Sequence, residues 1–126
     1  MKQVTRNVEL DAVHDLLEQV PRACIVFAAA SGPHAQPVAL IWRDSRYFVG
    51  LPPQTTPQPS SSQEIVLLVD EGVYYFDLRA VYIRGQAQPV EQPSTAPGGH
   101  TWFELLPRKI VAWDYGLLYE VDDANE

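Results

Sequence analysis

From Pro21 onward the chain keeps no helical period, and its apolar residues fall into short runs separated by turn-forming residues. Ala23–Ala30, Gln36–Arg43 and Tyr47–Leu51 are the first three runs. Ser31-Gly32-Pro33-His34 separates the first two and Asp44-Ser45 the next, which predicts two successive antiparallel hairpins with His34 at a loop tip. Glu64–Asp70 contains the unbroken run Ile65-Val66-Leu67-Leu68-Val69, the pattern of a central strand covered on both faces. In Val73–Val90, Val81 and Ile83 alternate with Tyr82 and Arg84 until Gly85 interrupts, so a long strand with a bend or bulge is expected there. Lys109–Tyr115 supplies the last strand. About six short strands at hairpin spacing imply a small barrel, because closure removes the edges such strands would otherwise expose.

Ahead of the strands, Leu10, Val13, Leu17 and Val20 recur at the spacing of one helical face, and the pattern predicts an amphipathic helix over 7–20. Asn7 stands at its N-cap, Pro21 stops it, and His14 lies off the stripe as a solvated residue. Barrel strands are expected over 23–90 and 108–116. Residues 91–107, with Pro93, Pro97 and Gly98-Gly99, read as a connection in which Trp102–Leu106 adds one helical turn before Pro107. The acidic end, 120–126, is expected to fray. One domain accounts for the whole of 1–126.

A formal net charge of −7 repels phosphate backbones and anionic lipid surfaces, so neither nucleic acid nor a membrane is an expected partner. No apolar run approaches the roughly 20 residues of a membrane span, and the expected compartment is the cytoplasm. Cys24 is the only cysteine and reads as a small buried hydrophobe. His14, His34 and His100 are too widely separated to suggest a metal site. No nucleophile elbow, phosphate-cradling glycine loop or Cys-x-x-Cys pair occurs, and the pairs Asp70-Glu71 and Asp122-Asp123 read as solvated. No residue stands out as catalytic.

Four stretches carry a resemblance: Ala35–Pro52 (AQPVALIWRDSRYFVGLP), Glu64–Gly72 (EIVLLVDEG), Leu78–Glu91 (LRAVYIRGQAQPVE) and Arg108–Gly116 (RKIVAWDYG). In order and wording the chain resembles the pyridoxamine 5'-phosphate oxidase-like, FMN-binding split barrels. The Arg-x-Val-x-Ile-x-Gly form at Arg79–Gly85 is the most specific part. The resemblance implies a mostly β fold, a six-stranded antiparallel split barrel with an N-terminal helix. It further implies a homodimer whose two interface clefts each hold a flavin, FMN or in some relatives a deazaflavin, beside a small-molecule ligand. Hydride transfer would then be the cofactor's chemistry.

By the same resemblance, the isoalloxazine edge would meet Leu40–Trp42 and the phosphate would meet Gly50–Ser62. Cofactor-binding candidates are therefore Trp42, Arg43, Gly50, Thr55, Thr56, Arg79 and Trp113. Arg79 reads equally as a solvated strand-end charge and Trp113 as core filling. One departure matters: flavin-binding members place a basic residue after the third strand, and this chain has none from Tyr47 to Leu78. Four prolines, at 52, 53, 57 and 59, also argue against the usual helix there. Losing one charge-assisted phosphate contact forfeits about 1.5–3 kcal/mol, a ten- to hundredfold loss of affinity. Thr55, Thr56 and Ser60–Ser62 remain as neutral donors, with Arg43 and Arg46 within reach on the second hairpin. Two functions follow: a flavin-dependent oxidoreductase, or a degenerate dimeric split barrel without flavin that acts as a binder or assembly module.

Overall fold

A computed structural model describes residues 2–5, 7–93, 98–116 and 119–122, with side chains described over 7–74, 76–93 and 98–116. Its strands are β1 (Lys2–Thr5), β2 (Asn7–Val8), β3 (Ala23–Ala29), β4 (Gly32–Pro37), β5 (Ala39–Arg43), β6 (Arg46–Leu51), β7 (Glu64–Glu71), β8 (Arg79–Pro89), β9 (Thr101–Asp114) and β10 (Tyr119–Asp122). One antiparallel sheet runs β4-β3-β7-β8-β9-β6-β5, with β2 added beside β9, and β1 pairs separately with β10. The fold is a split barrel, with more strands than the six expected. No helix among the described residues is long and apolar enough to cross a membrane.

Alternation decides which face closes. Ile65, Leu67 and Val69 of β7 and Val81 and Ile83 of β8 are 0–1% exposed and point inward with Ile25, Val49, Leu51 and Leu105. β7 is central, as predicted, but only one of its faces is covered in the single chain: Val66, Leu68 and Asp70 remain partly exposed on the other. Cys24 lies on that same outer face, opposite Leu68, and is partly exposed rather than buried.

The predicted helix over 7–20 is broken up. Asn7 and Val8 pair with Trp113 and Ala112 of β9, a 3₁₀ turn covers Leu10–Val13, and only Asp15–Gln19 is α-helix (α1). Backbone pairing captures the start that Asn7 would have capped. Part of the apolar stripe is kept: Val13 and Leu17 are fully buried against the sheet together with Leu16, which lies outside the predicted stripe, while Leu10 and Val20 are partly buried. His14 is exposed and meets Glu18 four residues on, at 3.3 Å, a partner the sequence reading passes over.

Other boundaries move for identifiable reasons. Val38 interrupts the expected strand 36–43, its N–H donating to Ala23 O at 3.1 Å, so β4 and β5 are separate. His34 sits within β4 opposite Phe27, not at a loop tip. Residues 73–78 form a loop because Gly72 takes φ 104° and the Asp77 carboxylate accepts the Val73 and Tyr74 N–H groups at 3.1 and 3.0 Å. The turn predicted at Trp102–Leu106 is strand, since β9 starts at Thr101 and pairs there with β6. Of the acidic end, Tyr119–Asp122 is paired with β1, and 123–126 lie outside the described residues.

The bulge expected at Gly85 is present. The β8–β9 register shifts between Arg84 and Gly85, which brings Gly85 opposite Pro107. A Cβ on Gly85 would lie 2.1 Å from Leu106 O, a backbone atom that cannot swing aside. Gly85→Ala is therefore expected to destabilise by about 3 kcal/mol, the upper end for overpacked sites. Gly98→Ala, whose added Cβ meets nothing within 4 Å, should cost little. Urea midpoints of the two variants at unchanged slope check this contrast.

Candidate functional site

The sheet does not close on itself, because its two edge strands, β4 and β5, follow one another in sequence at opposite ends of the strand order. At this seam lies a cleft of about 760 Å³. Val20 and Pro21 after α1, Val38 to Leu40 of the β4–β5 link, and Leu68 of β7 give it a mainly apolar wall. Val20 can turn the chain into the cleft because it takes φ 45°, its N–H donating to Leu16 O at 2.9 Å.

The polar groups at this cleft are few. Arg22 makes paired bonds to Asp70 at 3.3 and 3.2 Å and donates to Gly72 O at 2.8 Å, which ties the start of β3 to the end of β7. Cys24 lines the wall between them, and burial, with the Asp70 carboxylate second, pushes its thiol pKa up. A smaller pocket of about 190 Å³ adjoins through Leu68 and Asp70 and is walled by Leu78, Ala80, Trp113 and Tyr115.

Of the predicted residues, Trp113 lines this smaller pocket on the outer face, its ring 6.1 Å from Tyr82. Leu40 lines the large cleft, whereas Trp42 two residues on packs toward the core with Nε1 buried and unpartnered among the described residues. Arg43 is exposed at the end of β5, opposite Arg46. Arg46 itself is committed to Glu104, with bonds of 3.0 and 2.7 Å that hold that carboxyl below its ordinary pKa.

Arg79 is neither solvated nor free. Asp15 receives two of its bonds, at 3.1 and 2.6 Å, and Glu71 receives others from Nε at 2.7 Å and from Nη2. These carboxylates, Asp15 first, raise the guanidinium pKa further, so its charge is spent on joining α1 to the β7–β8 ladder.

Gly50 lies within β6, and Thr55 and Thr56 lie on the loop that follows it. Gly50 faces Trp102 across the β6–β9 ladder, and a Cβ there would lie 2.8 Å from the indole ring. The glycine is thus a seat for that ring. Thr55 is buried and its hydroxyl donates to Pro52 O at 2.6 Å, which shapes the loop, while Thr56 is exposed. Beneath this loop is a pocket of about 90 Å³ that includes Ser60, Ser61 and Trp102.

The seven predicted residues therefore do not converge on one cleft. Of those that form the large cleft, Pro21 to Cys24 and Val38 to Leu40, only Leu40 was assigned to a site in the sequence reading. Their signal was Val38, preceded by Pro37, at the point where a continuous strand was expected.

No protein-family model matches the sequence, and no curated protein matches it. Solved structures do. An FAD-binding protein of Mycobacterium smegmatis superposes with a TM-score of 0.67 at 18% identity, over 86% of this chain and 98% of the other. An FAD-binding protein of Mesorhizobium loti gives 0.62 at 13% identity, over 97% and 100%. A Corynebacterium glutamicum protein assigned as a pyridoxamine 5'-phosphate oxidase gives 0.60 at 15% identity, over 86% and 90%. Likeness at these identities is likeness of fold, and the shared fold is the split barrel.

The Arg79 clamp makes a pH prediction. Arg79 holds the Asp15 carboxyl below its ordinary value of 3.8, chiefly by hydrogen bonding. A pKa depressed in the folded state contributes stability that is present above that ordinary value and lost as pH falls through the lowered one. Arg79→Gln should remove this contribution, so stability falls less steeply below about pH 4 than in the parent. Urea midpoints taken at each pH measure it, and parallel profiles would count against the clamp.

Proposed function

We propose that this split barrel binds a flavin, with the isoalloxazine ring in the seam cleft, and works as a homodimeric oxidoreductase on a small organic molecule. The observation that carries the reading is the cleft itself, about 760 Å³ and mostly apolar, on a fold that two FAD-binding proteins share. Its volume is that of a small-molecule site, and its few polar groups sit at the rim. A bound flavin would supply hydride transfer. The chain's part would be to exclude water with Val38, Leu40 and Leu68, with Arg22 and Asp70 beside the opening.

The ring fits this site better than a phosphate fits the loop after β6. No basic residue occurs from Tyr47 to Leu78, and Arg79 and Arg46 are each committed to carboxylates. That observation favours a second reading, a cofactor-free dimer serving as a binder or assembly module. FMN is the form implied by the sequence resemblance, and FAD the form named for the two neighbours, so both belong in the test.

A second copy has a natural seat. Cys24, Leu68, Tyr82 and Val111 form one row across β3, β7, β8 and β9 on the outer face, all partly exposed. Asp70 lies on one side of this row, Arg84 and Lys109 on the other. A two-fold axis through the row would set the basic side of each copy against the acidic side of its partner.

Freshly purified protein should show flavin absorption, or its apo form should bind added FMN or FAD with micromolar affinity. Absence of any fluorescence change at high micromolar flavin would reject the cofactor. Ser61→Lys should tighten FMN roughly tenfold and leave riboflavin unchanged, the gain shrinking with salt. Light scattering at tens of micromolar should give a dimer mass for the parent and a monomer mass for Tyr82→Glu, which buries a charge in the proposed contact.

A further inference from the structure

β9 is the longest strand, 14 residues, and one stretch of it is uncovered: Leu106, Pro107, Arg108, Lys109 and Ile110 are exposed one after another. The pairing explains this. On the side of β9 away from β8, β6 pairs with residues 101–105 and β2 with 112–113. No described strand covers 106–111 on that side. A strand edge of roughly 20 Å, with its outward N–H and C=O groups, is therefore unpaired among the described residues.

This edge opens into a groove. β2 follows β9 for only two residues, and the chain then turns off at Glu9 into the 3₁₀ turn. Where the two segments part lies a pocket of about 420 Å³, with Asn7 to Leu10 on one side and Ile110 to Ala112 on the other. Ile110 is 38% exposed, although its cross-strand partner Ile83 is fully buried. Leu106, 39% exposed, stands at the other end of the stretch.

Between these two apolar side chains come Arg108 and Lys109. Arg22, Arg46, Arg79 and Arg84 each meet a carboxylate, whereas Arg108 and Lys109 reach none among the described residues. As neighbours on a strand they point to opposite faces, so a chain laid along the edge finds a cation on each side of it. A second copy of this edge, laid antiparallel, would set these cations against their own kind. The edge thus rejects itself and suits a segment of opposite charge. Glu9, the only carboxylate lining the groove, lies at its β2 end.

We infer that residues 106–111 are a docking edge for an extended acidic segment of another protein, added to β9 as an antiparallel strand in line with β2 and β6. Main-chain bonds hold such a segment, and alternate side chains select it. Register sets the preference: two adjacent carboxylates opposite Lys109 and Arg108, preceded by an apolar residue opposite Ile110, where Glu9 disfavours a third. Lys109 lies on the outer face proposed for a second copy and Arg108 off it, so the two interactions use different sides of the strand. The inference does not rest on the flavin reading.

The probe is a fluorescein-labelled octapeptide of alternating threonine and valine with two adjacent glutamates at its centre. Fluorescence anisotropy with the full chain should show saturable binding in the micromolar range, weakened by added salt. Arg108→Glu/Lys109→Glu, changed at exposed positions without ion pairs, should weaken it at least tenfold, and a peptide with lysines for the glutamates should not bind. A third peptide, N-methylated at alternate amides, keeps the charges but loses the strand-pairing donors, and should also bind at least tenfold more weakly. Bound peptide should slow hydrogen exchange within 106–111. No binding at high micromolar peptide, or binding that survives in the double variant, overturns the edge as the site. Equal binding of the N-methylated peptide overturns it too, by reducing the interaction to charge attraction. Should the double variant not fold, the N-methylated peptide on the parent protein decides.

Discussion

Everything inside this barrel depends on a sheet that has to bend. A flat sheet would leave Ile65, Leu67, Val81 and Ile83 facing solvent, since α1 is only five residues long and too short to cover them. The two longest strands supply the bend where Gly85 meets Pro107 and the register slips. Glycine permits the approach of the Leu106 carbonyl, and proline needs no N–H partner at a bulge. The far strands can then swing round until Leu40, Val49 and Leu105 close over the β7 side chains.

Bending without closing creates the functional geography. β4 and β5 end on opposite edges, and the cleft is the gap between them. Three of the cations are spent on ties within the fold: Arg79 ties α1 to β7 and β8, Arg46 ties β6 to β9, and Arg22 ties β3 to β7. In a chain of net charge −7, basic residues are scarce, and these three are used to fasten strands.

The sequence made the β architecture readable wherever period and punctuation agreed. Ile65–Val69 marked the central strand, Asp44-Ser45 the β5–β6 turn, and Gly85 the bulge. It misled where a local pattern lost to pairing at a distance. The residues 7–20 have helical spacing, but β9 offers Asn7 and Val8 a ladder that no local signal reveals. Trp102–Leu106 looked like a helical turn because its partner strand, β6, lies some fifty residues earlier. The candidate site suffered most, since Pro21, Val38 and Leu68 meet only through tertiary structure and none has a side chain that advertises chemistry.

Cys24 gives the molecule a built-in reporter. It is the only thiol in the chain, it lines the seam cleft, and it stands in the row of outer-face residues that a second copy would cover. With its pKa raised, little of it is thiolate at neutral pH, so alkylation is slow at the outset and sensitive to any further loss of access. The rate at which a small electrophile consumes it therefore reads the occupancy of the cleft and the covering of the sheet together. A bulky electrophile, stopped by a partner copy but not by an empty cleft, separates the two.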